Sequence, residues 1–449
     1  MGTDTVREQA ADETAERRRE QRGWYVYDWA CSVYSTSVLT VFLGPYLTSV
    51  AKAAADADGF VHPLGIPLRA GSFFAYCVSA SVILSIFVMP LAGAAADRTG
   101  RKKPLLAVAA YLGAAATAGM FFLDGDRYLL GGLLLIVANA SLAVSMVLYN
   151  SYLPQIAPPE ERDAVSSRGW AFGYAAGSLV LVANLILYTA HDTFGVSETT
   201  AVRICLASAG IWWGVFTLVP LKRLRDRRTT SSSGTSAHGW RQLAATVRDL
   251  RRQPLTLAFL LAYLVYNDGI QTVISQASVY GSEELGLDQS TLIVAVLLVQ
   301  LLAVAGALGM GRLARTYGAK RTILGSLVAW TVTLGAGYFL PAGAPVWFFV
   351  LAAGIGLVLG GSQALSRSLF SHLVPPGKEA EYFSAYEMSD RGMSWLGPLL
   401  FGLTYQLTGS YRDAIISLVA FFVLGFVLLA RVPVRQAVRD AGNPIPDRI

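Results

Sequence analysis

The stretch Gly93-Ala94-Ala95-Ala96-Asp97-Arg98-Thr99-Gly100-Arg101-Lys102-Lys103 sets a short, glycine-bounded basic turn between two long apolar runs. Shifted by 218 positions, Gly311-Arg312-Leu313-Ala314-Arg315-Thr316-Tyr317-Gly318-Ala319-Lys320-Arg321 repeats its framework. Gly93 falls on Gly311, Gly100 on Gly318, Lys102 on Lys320 and Lys103 on Arg321. The glycines let two helix ends approach and turn sharply, and the basic residues cannot enter hydrocarbon, so the turn stays at the cytoplasmic face. The chain therefore reads as two related halves. One charge differs between the copies: Asp97 becomes Arg315.

Outward from that turn, composition sets the class. With 449 residues, 54% of them hydrophobic and 15% charged, the chain is too apolar, and too regularly interrupted by charge clusters, for one soluble core. The formal charge of +6 does not point to nucleic acid, because the basic residues sit in short clusters between apolar runs, where they set topology. Cys31, Cys77 and Cys205 all fall inside apolar runs without metal or redox spacing and read as buried thiols.

Residues 1–22 are polar and read as a disordered cytoplasmic tail. Twelve apolar segments follow, near 24–49, 71–95, 104–123, 129–150, 168–190, 201–220, 254–280, 290–311, 323–340, 346–366, 390–409 and 412–430. Each is about long enough to cross a roughly 30 Å hydrocarbon layer at 1.5 Å per residue. With the N-terminus inside, the outer loops hold only Lys52, Arg69, Arg127, Arg203 and Arg412 of the 36 basic residues, which puts both termini in the cytoplasm. The expected fold is an all-α polytopic membrane protein of twelve transmembrane helices in two pseudo-symmetric six-helix bundles. Its parts are a tail at 1–23, a bundle at 24–220, a linker at 221–253, a second bundle at 254–431 and a tail at 432–449. In the linker, Trp240, Leu243, Ala244, Val247 and Leu250 recur at helical spacing, as in an amphipathic helix lying on the membrane surface.

A second repeat, offset by 217, sets Pro158-Pro159 on Pro375-Pro376, and Arg168-Gly169 matches Arg391-Gly392 after a six-residue insertion. The glycine-bounded loop with its degenerate copy resembles the signature loop of the major facilitator superfamily. Parallel duplicated halves of this kind rock about a midplane site to give alternating access. Tyr27-Asp28-Trp29-Ala30, the run Tyr266-Asn267-Asp268-Gly269-Ile270-Gln271-Thr272 and the run from Gly360 to Arg367 narrow the likeness. With Ser166-Ser167-Arg168-Gly169 and the segment from Tyr386 to Pro398, they resemble the vacuole effluxer family associated with autophagy, including its bacterial members. That resemblance implies export of amino acids from a degradative compartment, with bacterial members taking diverse solutes; protons are a coupling partner expected from a buried carboxylate, although the Arg that many proton-coupled members of the superfamily carry in the fourth segment is missing between Arg127 and Arg162. Short outer loops and an Ala/Arg-rich composition suggest a bacterial cytoplasmic membrane. The other partners expected are membrane lipids. A monomer suffices, and no nucleic acid, cofactor or metal is expected.

Asp268 is the leading site candidate. It lies fourteen residues beyond Pro254, about 21 Å along a helix and so near the midplane, where an ionisable side chain is costly. Gln271, Thr272 and Ser275 continue one helical face from it and Asn267 borders that face, which suits a polar substrate or a proton. A structural aspartate bonded to a neighbouring helix is the competing reading. Asp28 lies only about a turn into its segment and suits an inner gate or an ion pair, with Arg367 or Arg391 as partner. The superfamily resemblance makes Asp97, with Arg98, Gly100 and Arg101, a gating loop whose carboxylate faces the N-terminus of the eleventh helix in the outward-open state, an attraction of about 0.3–1 kcal/mol when exposed. The Gly-Pro step of antiporters is missing from the fifth segment, where Gly169, Gly173 and Gly177 stand instead. The glycines at 354, 356, 360 and 361 read as close helix packing rather than a nucleotide loop, because no strand precedes them. Motifs of intramembrane proteases are lacking, so no catalytic residue is proposed. A receptor or scaffold of transporter fold is the remaining alternative.

Overall fold

The computed structural model describes residues 2–70, 73–226, 248–391 and 396–449. The chain forms two compact units, one of Met1–Tyr149 with Phe172–Arg228, the other of Asn150–Ala171 with Thr229–Ile449. The stretch Asn150–Ala171 thus precedes the central linker in sequence yet clusters with the second unit.

In the first unit, helices α1 (Gly2–Val33) and α2 (Leu43–Ala53) are joined by a π-helical segment, Tyr34–Phe42, into one continuous rod. The reading of residues 1–22 as disordered is therefore corrected for residues 2–22, which are helical and run into the first span. Glu16 pairs with Arg225, and Glu20 and Gln21 are buried, so tertiary contacts hold a segment that composition marked as polar. A minimal hairpin, β1 (Phe60–Val61) and β2 (Leu68–Arg69), precedes α3 (Phe73–Thr99). Then come α4 (Lys102–Gly119), α5 (Tyr128–Asn150), the short α6 (Leu153–Ile156), α7 (Arg162–Thr189) and α8 (Glu198–Arg223). Gly173 and Gly177 of α7 leave room for Ser32 and Thr36, where an added Cβ would stand 2.5 Å and 2.6 Å from their hydroxyl oxygens.

The second unit contains α9 (Pro254–Val279), α10 (Gln289–Tyr317), α11 (Ala319–Tyr338) and α12 (Pro345–Ser371). It continues with α13 (Glu379–Arg391), α14 (Leu396–Thr408), α15 (Tyr411–Ser417), α16 (Val419–Arg431) and α17 (Val434–Asp440). Among the described residues ten helices are long and apolar enough to cross a membrane. The amphipathic linker helix falls on residues 240–250, most of which lie outside the described residues; Asp249, near its end, is 2.6 Å from Lys378 Nζ and accepts from Tyr382 at 3.1 Å.

Duplication is visible in the backbone. Gly100 and Gly318, aligned in the repeat, both adopt left-handed φ, 64° and 88°, a conformation glycine takes without steric cost. At the other end of each unit a tyrosine ties the first helix to the third. Tyr46 donates to Leu123 O at 2.6 Å, and Tyr280 donates to Gly337 O at 2.7 Å. An arginine reinforces each tie: Arg203 pairs with Asp124 at 3.1 Å, while Arg412 donates to Tyr338 O at 2.7 Å and to Glu284 at 2.8 Å.

The final residues are docked onto the second unit. Asn443 donates to His372 O at 2.9 Å and to Val374 O at 2.7 Å, and Arg448 donates to Thr316 O at 2.9 Å and to Arg315 O at 3.2 Å. The last carbonyls of a helix have no intrahelical partner, so Arg448 caps α10 where the loop copy lacks Asp97's carboxylate. Lys320 in turn donates to Ala430 O at 2.9 Å and Val432 O at 2.8 Å.

Helices α10 and α12 approach each other backbone to backbone. An added Cβ at Gly360 would fall on the Ala303 carbonyl oxygen, one at Gly306 on that of Leu357, and one at Gly356 would stand 2.7 Å from Val299 O. Backbone cannot yield as a side-chain tip does, so overpacking here costs about 1–3 kcal/mol or more. Gly360→Val is expected to lower the thermal midpoint of the detergent-solubilised protein clearly, whereas Gly335→Ala, with nothing within 4 Å of the new methyl, leaves it unchanged or slightly higher. Differential scanning fluorimetry of the two variants reads this directly.

Candidate functional site

Asp268 sits on α9, 3% exposed. Its Oδ2 accepts the backbone N–H of Gly397 at 2.7 Å, in the first described turn of α14, while its Oδ1 has no hydrogen-bond partner. N–H groups in the first turn of a helix favour a facing carboxylate. The approach requires glycine, because a Cβ at 397 would fall on the Thr272 hydroxyl.

One residue earlier, Asn267 donates to Asp390 Oδ1 at 2.6 Å, and Tyr263 donates to the same oxygen at 3.1 Å. Asn267 Oδ1 is buried without a hydrogen-bond partner. Tyr263 stacks on Tyr386 at 4.3 Å, Tyr386 lies on Phe370 at 5.0 Å, and Tyr266 shares a 2.6 Å hydrogen bond with Ser366. The polar face read from sequence is thus divided. Asp268 and Asn267 reach α14 and α13, whereas Thr272 donates back to Asp268 O at 2.7 Å and Ser275 to Thr272 O at 3.0 Å, as helix hydroxyls do. Gln271 is half-buried and Ser275 exposed.

Arg367, on α12, is 1% exposed. Its Nε and Nη2 donate to the hydroxyl and carbonyl of Ser166, both at 2.9 Å, and its Nη1 donates to Asn150 Oδ1 at 3.2 Å. The guanidinium also lies 5.3 Å from the Trp170 ring. Asn150 passes the connection on, donating to Glu387 of α13 at 2.7 Å. Sequence reasoning picked Arg367 and missed Asn150, Ser166 as a ligand, Glu387 and Asp390. The only signal was that acids at 387 and 390 stand where an apolar segment was about to begin.

In the first unit Asp28 is held by Tyr149, whose hydroxyl donates to its Oδ2 at 2.6 Å; Trp24 stacks on that ring at 4.4 Å and donates to Tyr149 O at 2.9 Å. Asp28 thus has a tyrosine donor within its own unit. Asp97 pairs with Lys102 at 3.4 Å, both side chains nearly buried, while Arg98 and Arg101 are exposed. Lys103 N–H donates to Asp226 at 2.8 Å, which caps α4. The side chain of Arg391 lies outside the described residues.

Long apolar helices, internal duplication and buried charges on facing helices together define a polytopic membrane transporter of the major facilitator fold. Two solved structures share that fold. The fucose transporter FucP in its outward conformation covers 91% of this chain and 99% of its own at TM-score 0.64 and 14% identity. The proton:xylose symporter XylE covers 94% and 96% at TM-score 0.68 and 15% identity. The chain belongs to the family described as "Vacuole effluxer Atg22 like", whose profile matches residues 16–442. Among relatives, an uncharacterized MFS-type transporter, YxiO of Bacillus subtilis (strain 168), is 30% identical over 92% of this chain and 95% of its own. Autophagy-related protein 22-1 of Aspergillus niger is 25% identical over 94% and 90%.

Arg367→Leu would leave the Ser166 and Asn150 oxygens buried without their donor, a cost on the order of 3 kcal/mol. A large fall in the thermal midpoint is expected. Arg367→Lys should recover only part of it, since a single ammonium cannot span the acceptors of a planar fork. Equal midpoints for wild type and Arg367→Leu in detergent would show that the network contributes nothing.

Proposed function

We propose that this protein exports a small polar solute, amino acids being the first class to test, by alternating access across a bacterial cytoplasmic membrane, with proton movement coupled at Asp268. The observation that carries the reading is the Asp268 carboxylate itself: buried in a membrane helix, with one oxygen on the Gly397 N–H and the other without a hydrogen-bond partner. A carboxylate in that setting binds α14 more strongly when ionised, because the charge-assisted bond is about twice as strong as a neutral one. Taking up a proton loosens α14 from α9, and losing it restores the contact. Asn267 holds α13 beside it through Asp390.

In this reading twelve helices cross the membrane, α11 and the α13–α14 region supplying the ninth and eleventh, and both termini are cytoplasmic. The Arg367, Ser166, Asn150 and Glu387 network closes the cytoplasmic end when formed and opens as those bonds part. Gln271, Thr272 and Ser275 lie along the solute path, and Asp28 with Tyr149 is the first unit's counterpart. The Asp97 loop, with Arg98, Gly100 and Arg101, sets closure, and Arg391 belongs to the same gate. A monomer carries the cycle, and membrane lipids are its only standing partners.

The test is efflux from proteoliposomes loaded with a mixture of amino acids and small peptides, read by mass spectrometry with and without a pH gradient of either polarity. Wild type is expected to release a restricted set of compounds, faster under one polarity. Asp268→Asn keeps the size of the side chain and is expected to abolish the gradient dependence. Gradient-independent efflux by wild type, or full coupling in the variant, would remove Asp268 from the mechanism. Asp97→Asn removes the charge that faces Lys102 at 3.4 Å, so labelling of cytoplasmic cysteine probes is expected to rise; unchanged labelling would take the loop out of the gate.

A further inference from the structure

Between α2 and α3 the chain leaves the membrane-crossing helices and folds into a braced hairpin. Phe60 pairs with Arg69 and Val61 with Leu68, and the Ala70 N–H closes the base on Gly59 O at 3.1 Å. One side is packed, with Val61 1% and Ala70 3% exposed. The first arm is pinned by Asp56, whose Oδ1 accepts the N–H groups of Asp58 at 3.0 Å and Phe60 at 2.8 Å, while its Oδ2 lies 2.9 Å from His62 Nε2. The His62 hydrogen bond, with the Phe60 N–H, holds the Asp56 carboxyl below the usual carboxylate range.

What this bracing presents is Pro63-Leu64-Gly65-Ile66-Pro67-Leu68, a run without a polar side chain. Leu64 is 98% and Ile66 58% exposed, and Leu64 adopts φ 53°, ψ 27°, a left-handed conformation that costs a leucine about 1–3 kcal/mol. In water that strain and that exposure would both be uncompensated. Seating a leucine in an apolar phase returns about 1.5–3 kcal/mol.

The apolar phase within reach is the bilayer. The base of the hairpin at Ala70 stands three residues before Phe73, where a membrane-crossing helix begins, and the other arm leaves α2 at Ala53. At about 3.3 Å per residue the tip can lie no more than roughly 30 Å from the start of α3, and the headgroup layer extends about 5–7 Å beyond the hydrocarbon on each face. Lys52, Asp56, Asp58 and His62 precede the tip in sequence, so an apolar point follows a polar collar, the arrangement that suits the boundary between headgroups and acyl chains. We propose that residues 63–68 form a lipid-inserting anchor, with Leu64 and Ile66 seated in the interface of the adjacent leaflet and fixing that end of the first unit to the membrane.

The test is spin-label accessibility on the full-length protein in phosphatidylcholine vesicles containing a minor fraction of phosphatidylglycerol. Leu64→Cys, Ile66→Cys and Asp58→Cys are labelled in turn; the native cysteines are buried, and unsubstituted protein gives the labelling background. Oxygen concentrates in the bilayer and a nickel chelate stays in water. The ratio of oxygen to nickel collisions is expected to be several-fold higher at 64 and 66 than at 58. Ile66→Cys leaves the left-handed position intact, so it keeps the test sound if Leu64→Cys disturbs the turn. Ratios at 66 no higher than at 58 place the tip in water and overturn the proposal, whether the tip then faces solvent or another protein.

Discussion

A charge that leaves water must meet a partner before the helix carrying it can stay in place. Arg367 shows what that demand does in the second unit. It is fully enclosed, and its fork is met by the hydroxyl and carbonyl of Ser166 and by Asn150. Satisfying one guanidinium therefore fixes the start of α7 and the end of α5 against α12, and Asn150 extends the same constraint to Glu387 on α13. The compact unit reaches back across the linker for Asn150–Ala171 because that is where the acceptors are.

The two halves keep a common frame and differ in what they place inside it. Tyr46 and Tyr280 tie first helix to third in the same manner, and Gly100 and Gly318 turn in the same left-handed conformation. Inside that frame the first unit holds Asp28 with a tyrosine, whereas the second holds Asp268 with a backbone N–H and Asp390 with an asparagine and a tyrosine. A backbone amide is a neutral donor, so its bond to Asp268 solvates that acid without neutralising it.

Asp268 was legible as a lone acid in an apolar run, and Arg367 as a base in another. Their partners were not, because Gly397 lies 129 positions away and Asn150 lies 217. Thr272 and Ser275 looked like ligands at helical spacing, yet a hydroxyl can satisfy itself on the preceding turn, and spacing alone does not say which it does. Lys102 was placed correctly in a basic turn, but its burial against Asp97 depends on how two helix ends close. Residues 1–22 looked too polar to order, yet residues 2–22 are helical, with contacts such as Glu16 with Arg225 that composition does not contain.

The sequence by itself determined the class of protein, the duplication and the places where charge enters the membrane, because hydrocarbon excludes unpaired polar groups so strongly that apolar length and basic clusters are direct physical records of it. Only the tertiary structure decided which charge meets which partner. Those pairings arise where helices distant in the chain approach within hydrogen-bond range, and approach is set by small residues such as Gly360 and Gly397 whose effect is felt on another helix.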